Sequence, residues 1–204
     1  MSEPFRVALT FDAEHPDRPG CPPGNAERIV ETLAGRGVTA TFFVQGRWAE
    51  AYPVTARRIA EDGHLIGHHS HYHARMPLLV PNGVPSDLAD GAAAIEAATG
   101  RDPRPWFRCP FGAGHDDPDV QAALEELGYR DVGWHVELED WEAHRTGEAI
   151  TADGLRGTLE HGDGAVVLLH TWPAGTGDAV GPLVDGLREA GATFVTVADL
   201  ETLP

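Results

Sequence analysis

Short runs of β-branched and aromatic residues alternate with segments of helical periodicity along the whole chain, and this alternation restricts the fold more than any other feature. Strands are expected at Arg6–Phe11, Thr39–Val44, His64–Gly67, Trp106–Arg108, Asp131–Val136, Ala165–Leu169 and Val195–Val197. Between them, helices are expected at Asn25–Leu33, Val54–Glu61, Ser86–Thr99, Pro118–Leu127, Thr151–Leu159 and Val180–Glu189, with glycines such as Gly35, Gly63 and Gly100 closing several of them. A succession of β-α-β units predicts a parallel sheet wrapped by helices, either open or closed as a barrel. The chain has 204 residues, enough to bury about 70% of its unfolded surface around one core. It shows no internal repeat, low-complexity tract or linker-like stretch, so a single domain over 1–204 is expected. The Pro/Gly-rich stretch at 16–24 reads as a loop after the first strand.

Composition removes several function classes. There are 32 acidic and 15 basic residues, a net charge of −17, which disfavours nucleic acid and anionic membrane surfaces as partners. Every one of the basic residues is arginine, so neither a Walker-type phosphate loop nor a Schiff-base lysine can exist. Serine occurs only at Ser2, Ser70 and Ser86, none inside a Gly-x-Ser-x-Gly elbow. Cys21 and Cys109 form no C-x-x-C pair and read as free thiols. No apolar run approaches the ~20 residues of a membrane span, and the first residues lack the pattern of a signal peptide. A cytoplasmic protein is therefore expected, or a secreted one if a leader has been removed. Nothing points to an obligate protein partner.

In a parallel sheet, side chains at the C-terminal strand ends converge on one face, and polar clusters follow or occupy five such ends. The densest is Gly67-His-His-Ser-His-Tyr-His73. Imidazole is a common ligand for divalent metals, and His69 and His73 have the i, i+4 spacing that lets two rings meet at one ion if the backbone turns between them. His68 and His71 are three apart, so spacing alone does not choose between the pairs. Asp12 and Glu14, at i and i+2 in extended backbone, project to the same side and offer one carboxylate for a metal and another for proton chemistry. Arg108 lies in the apolar run Trp106-Phe-Arg-Cys-Pro-Phe111, where a charge needs a carboxylate partner, and Asp12 is the expected one. His170 ends the apolar run Val166-Val-Leu-Leu as a candidate general acid or base, and Asp140-Trp141 adds an acid beside an aromatic ring.

Taken in order, Thr10-Phe-Asp12, His69-Ser70-x-x-His73, Arg108-x-Pro110-Phe111-Gly112, Asp140-Trp141 and Leu168-x-His170 resemble the five motifs of the polysaccharide deacetylases, carbohydrate esterase family 4 with its NodB-homology domain. The resemblance runs from Val7 to about Leu200 and implies an α/β fold, a distorted (β/α) barrel of about seven parallel strands. It implies Asp12 as catalytic base, His69 and His73 as metal ligands, Arg108 orienting Asp12, and His170 as the acid that protonates the leaving group, with Asp140 holding it charged. By the same resemblance the backbone N–H of Phe111 is the oxyanion donor, Trp141 and Leu168 line the pocket for the acetyl methyl, and Ser70 and Pro110 are structural. The implied cofactor is one divalent metal, zinc first, with cobalt or another ion able to serve. The implied reaction removes an acetyl group, N-acetyl before O-acetyl, from a carbohydrate or a related small amide.

One departure from the pattern bears on all of this. The family usually has Thr-Phe-Asp-Asp-Gly, its second Asp binding metal, whereas this chain has Ala13 and then Glu14. Alanine ligates nothing. Three readings follow: Glu14 replaces the missing ligand, Asp12 takes the metal itself, or the protein is a noncatalytic sugar- or metal-binding relative.

Overall fold

The computed structural model describes residues 4–15 and 21–204. Its strands are β1 (Phe5–Ala13), β2 (Thr41–Val44), β3 (Leu65–His68), β4 (Trp106–Phe107), β5 (Arg130–Asp131), β6 (Val136–Glu137), β7 (Ala165–His170) and β8 (Ala192–Phe194). The helices are α1 (Asn25–Gly35), α2 (Gly46–Ala51), α3 (Pro53–Glu61), α4 (Val84–Thr99), α5 (Pro118–Glu126), α6 (Gly147–His161) and α7 (Ala174–Glu189). Residues 16–20 of the expected loop lie outside the described residues. Two compact units partition the chain: one holds the described residues of 1–11, 18–41 and 134–204, the other those of 12–17 and 42–133.

In the first unit β8, β1, β7 and β6 are successive neighbours, with β8 parallel to β1 and β6 parallel to β7. Val7 to Ala13 of β1 and all of β7 are buried, which suits strands covered on both faces and explains their nearly continuous apolar sequence. The Thr10 hydroxyl is tolerated there because it donates to the Val167 carbonyl at 2.7 Å. Helix α7 begins at Ala174, earlier than the expected Val180, although its first turns are glycine-rich. Packing against α1 explains this: Gly177 and Gly181 face the Arg28 and Arg36 side chains, where any Cβ would collide. Those arginines pair with Asp178 at 2.6 Å and Asp185 at 2.8 Å on α7. Close approach and ion pairs override weak helix propensity.

In the second unit β5, β4, β3 and β2 are successive neighbours, with β3, β4 and β5 parallel. Its core gathers Met76, Val84, Leu88, Phe107, Cys109, Val120, Leu124 and Tyr129. Both cysteines are free thiols, as the spacing implied. Helix α2 went unrecognised in the sequence because six residues opening on glycine carry little periodicity, yet it buries Trp48 and Ala49.

Two strand expectations are corrected. The run Asp131–Val136 is not one strand but β5 and β6, separated by backbone whose Val132 and Gly133 carbonyls accept from the Arg108 guanidinium instead of continuing a ladder. The last strand is Ala192–Phe194 rather than Val195–Val197, because Thr196 and Asp199 form a reciprocal capping box that turns Val197–Asp199 into a 3-10 helix. No helix among the described residues is long and apolar enough to cross a membrane.

Candidate active site

Within the second unit, the end of β1 delivers two carboxylates to the loop that follows β3. Asp12 and Glu14 are each 3% exposed. Glu14 Oε2 lies 3.2 Å from His69 Nε2 and in closer contact with His73 Nε2. The three ligand atoms fall within 4.8 Å of one another. Among the described residues this is the one group of three His, Cys, Asp or Glu side chains with that spacing. His69 Nδ1 is 2.9 Å from the Arg108 carbonyl, which can only accept, so Nδ1 carries a proton and Nε2 is the nitrogen that faces Glu14. Two imidazole nitrogens and one carboxylate oxygen at this spacing are the donor set of an open three-ligand zinc site. The residues present therefore fit the implied metal.

His68 and His71 stay outside the set. His68 stacks on Phe107 with centroids 5.4 Å apart, accepts from the Ser70 N–H at 3.1 Å, and is driven down to about 3 by burial, with the neighbouring His69 adding to the shift. His71 meets the Tyr72 ring edge-on. Backbone shape brings His69 and His73, rather than His68 and His71, to Glu14: Ser70 and His73 both sit at left-handed φ, 62° and 57°. Such residues cost about 1–3 kcal/mol each and persist only where the surroundings hold them. Asp87 accepts from the His71 and Tyr72 N–H groups at 3.0 and 3.3 Å, the Ser70 carbonyl accepts from Gly46 N–H at 3.0 Å, and the Ser70 hydroxyl accepts from Ala74 N–H at 3.2 Å. Nothing local in the sequence marks Asp87 for this task.

Asp12 stands beside the ligands without joining them. Its Oδ1 accepts from Arg108 Nη1 at 2.9 Å, and its Oδ2 lies 3.5 Å from His69 Nε2. Burial alone would lower His69, but Asp12 and Glu14 outweigh it and hold the imidazole above its ordinary value. His73 is lowered, burial outweighing Glu14. Arg108 is fully buried, and burial depresses it despite Asp12. Every face of its guanidinium is used: Nε donates to Val132 O at 3.0 Å, Nη2 to Gly133 O at 2.9 Å, and the plane lies 4.1 Å from the Phe43 ring centroid. Phe111, next to Pro110 in a one-turn 3-10 helix, takes a left-handed φ of 60° and is 55% exposed. Its ring edge meets His73 at 4.4 Å between centroids.

The first unit holds the other expected residues. His170 ends β7, and its Nδ1 lies 2.7 Å from Asp140 Oδ1, while its backbone N–H donates to Asp140 Oδ2 at 2.8 Å. Thr176 also donates to Asp140 Oδ2, an anchor that sequence reasoning missed. Trp141 packs edge-on against His170 at 5.3 Å, and Leu168, 3% exposed, pairs in register with Glu137 of β6.

Comparison with known proteins agrees with the motif order. The polysaccharide deacetylase family model matches residues 2–132. The peptidoglycan-N-acetylglucosamine deacetylase PgdA of Listeria monocytogenes is 32% identical over 197 residues, 96% of this chain but 38% of that protein. Among solved structures, a family 4 carbohydrate esterase from Streptomyces lividans in complex with acetate superposes with a TM-score of 0.80 at 28% identity, over 93% of this chain and 91% of that one. A CE4 family pseudoenzyme from Bacillus anthracis gives 0.84 at 26%, over 97% and 66%. The chain belongs to the polysaccharide deacetylase family and has its α/β fold.

Proposed function

We propose that this chain is a metal-dependent hydrolase that removes acetyl groups, N-acetyl in the first place, from a carbohydrate or a related small amide. The observation that carries the reading is the convergence of Glu14, His69 and His73 beside Asp12, which supplies the ligand that Ala13 cannot. These three side chains would hold one divalent ion, zinc by donor type. When bound, the ion supplies Lewis acidity to water and to the acetyl carbonyl.

The chain's own groups then divide the proton work. Asp12, aimed by Arg108, takes the proton from the attacking water. The Phe111 N–H donates to the oxygen that gains charge, a kind of donor whose loss typically costs ~10²–10³ in rate. His170 gives its Nε2 proton to the departing nitrogen, and Asp140 on Nδ1 fixes the tautomer. Trp141 and Leu168 shape the seat of the acetyl methyl. The role of His170 rests on motif order and on its Asp140 pair. The substrate class follows the relatives, of which one acts on peptidoglycan N-acetylglucosamine and another was solved with acetate.

A noncatalytic role is the second reading, favoured by Ala13 and by the likeness to a pseudoenzyme. Acetate release decides between them. N-acetylglucosamine oligomers and an acetylated peptidoglycan fragment are incubated with the protein, with and without a chelator. Release that the chelator stops and zinc restores supports hydrolysis. No release from either substrate by zinc-loaded protein supports the binding role.

A further inference from the structure

We propose that His15 is the positioning residue that makes Glu14 a one-oxygen metal ligand. The proposal rests on the metal-site reading above. Glu14 divides its two oxygens: Oε2 faces His69 and His73, while Oε1 lies 3.0 Å from His15 Nε2. An ionised carboxylate only accepts, so His15 Nε2 carries the proton and donates. A glutamate tied in this way cannot rotate to offer both oxygens or the wrong one.

The backbone reinforces the arrangement from both sides of Glu14. Gln45, 4% exposed, donates its own N–H to the Ala13 carbonyl at 2.9 Å and accepts the His15 N–H on Oε1 at 3.0 Å. One buried glutamine thus brackets the ligand, and His15 takes up a left-handed φ of 56° between that bracket and its side-chain contact. The His15 ring also meets His73 edge-on at 4.6 Å, so it touches two of the three ligands. Its chemistry suits the place. An imidazole N–H donates without the permanent positive charge of an arginine, which would repel a divalent cation.

Two variants separate the hydrogen bond from the packing. His15→Phe keeps a ring against His73 and loses the donor; His15→Gln loses the ring and restores a donor. The side chain is 28% exposed, so neither change empties the core. Zinc affinity is read by chelator competition, the visible spectrum is taken on cobalt-loaded protein, and the thermal midpoint is measured on metal-free protein. The expected result is a ~10–100-fold loss of affinity and a shifted cobalt spectrum in His15→Phe, with the metal-free midpoint unchanged and most of the affinity recovered in His15→Gln. Wild-type affinity and spectrum in His15→Phe would overturn the proposal, as would equal losses in both variants. Glu14→Ala is run beside them: if it holds metal as tightly as the wild type, the ligand reading fails and takes the proposal with it, whereas a weakened Glu14→Ala beside an unaffected His15→Phe removes His15 alone.

Discussion

The metal corner and the His170 pair are built on opposite plans. Around Glu14, three chain segments brace one another: Arg108 ties β1 to the stretch after β5 and its carbonyl orients His69, while Gln45 and Asp87 hold the loops on either side. Around His170, Asp140 meets the ring at Nδ1 and is itself fixed by the His170 backbone N–H and by Thr176. The first plan suits a rigid cradle whose geometry must not drift as charge is bound. The second suits a group that passes a proton, for which a well-placed acceptor on one ring nitrogen sets the tautomer. Damage should therefore appear as lost stability and metal in the first region, and as lost turnover without unfolding in the second.

The largest effect is expected at Arg108. Breaking a fully buried pair strands a carboxylate and two backbone carbonyls, so Arg108→Met should cost ~3–5 kcal/mol in denaturant unfolding as well as activity. Adding Asp12→Leu to that variant should return much of the stability and none of the turnover. An Arg108→Met protein of wild-type stability and pH profile would place both regions on the same footing and undo the contrast. Next comes His170→Ala, which should lower amide hydrolysis by ~10²–10⁴ and hydrolysis of an aryl acetate far less, since a phenolate leaves without a proton. Equal losses on the two substrates would take the acid role from His170. Asp140→Asn should follow in size, lowering amide turnover while the folded protein and its metal content persist.

The smallest effect concerns acid stability in the cradle's unit. Burial holds His64 below the ordinary imidazole value, with Asp62 opposing. A histidine depressed in the fold contributes its stability in full above the unfolded value near 6.5 and loses it as pH falls toward the folded value. His64→Phe, which keeps a ring beside Phe42, should flatten the fall in thermal midpoint below a pH of about 6.5. An unchanged acid slope would assign that fall to other groups.

Much of this was legible in the sequence because it is carried by strong local signals. The apolar runs of β1 and β7 read as buried strands, and a carboxylate pair at the end of one strand with histidines after another marks a candidate site. What stayed hidden depends on contacts distant in sequence. The choice of His69 and His73 over His68 and His71 comes from two left-handed residues held by Asp87 and α2, and a six-residue helix leaves too little periodicity to read. The early start of α7 and the break between β5 and β6 have the same origin, since arginines from elsewhere occupy the space or the carbonyls there. Glu14 was visible as a candidate substitute for the residue missing at position 13; His15 was visible only as its neighbour.

The central claim is that Glu14 stands in for the ligand lost at position 13. It is tested most directly by loading wild type and Glu14→Ala with zinc after chelator stripping, then measuring bound metal and acetate release on the same samples. A centre built on Glu14 requires about one ion per chain and chelator-sensitive acetate release in the wild type, with both largely lost in Glu14→Ala. Full metal occupancy and undiminished acetate release in Glu14→Ala would contradict it.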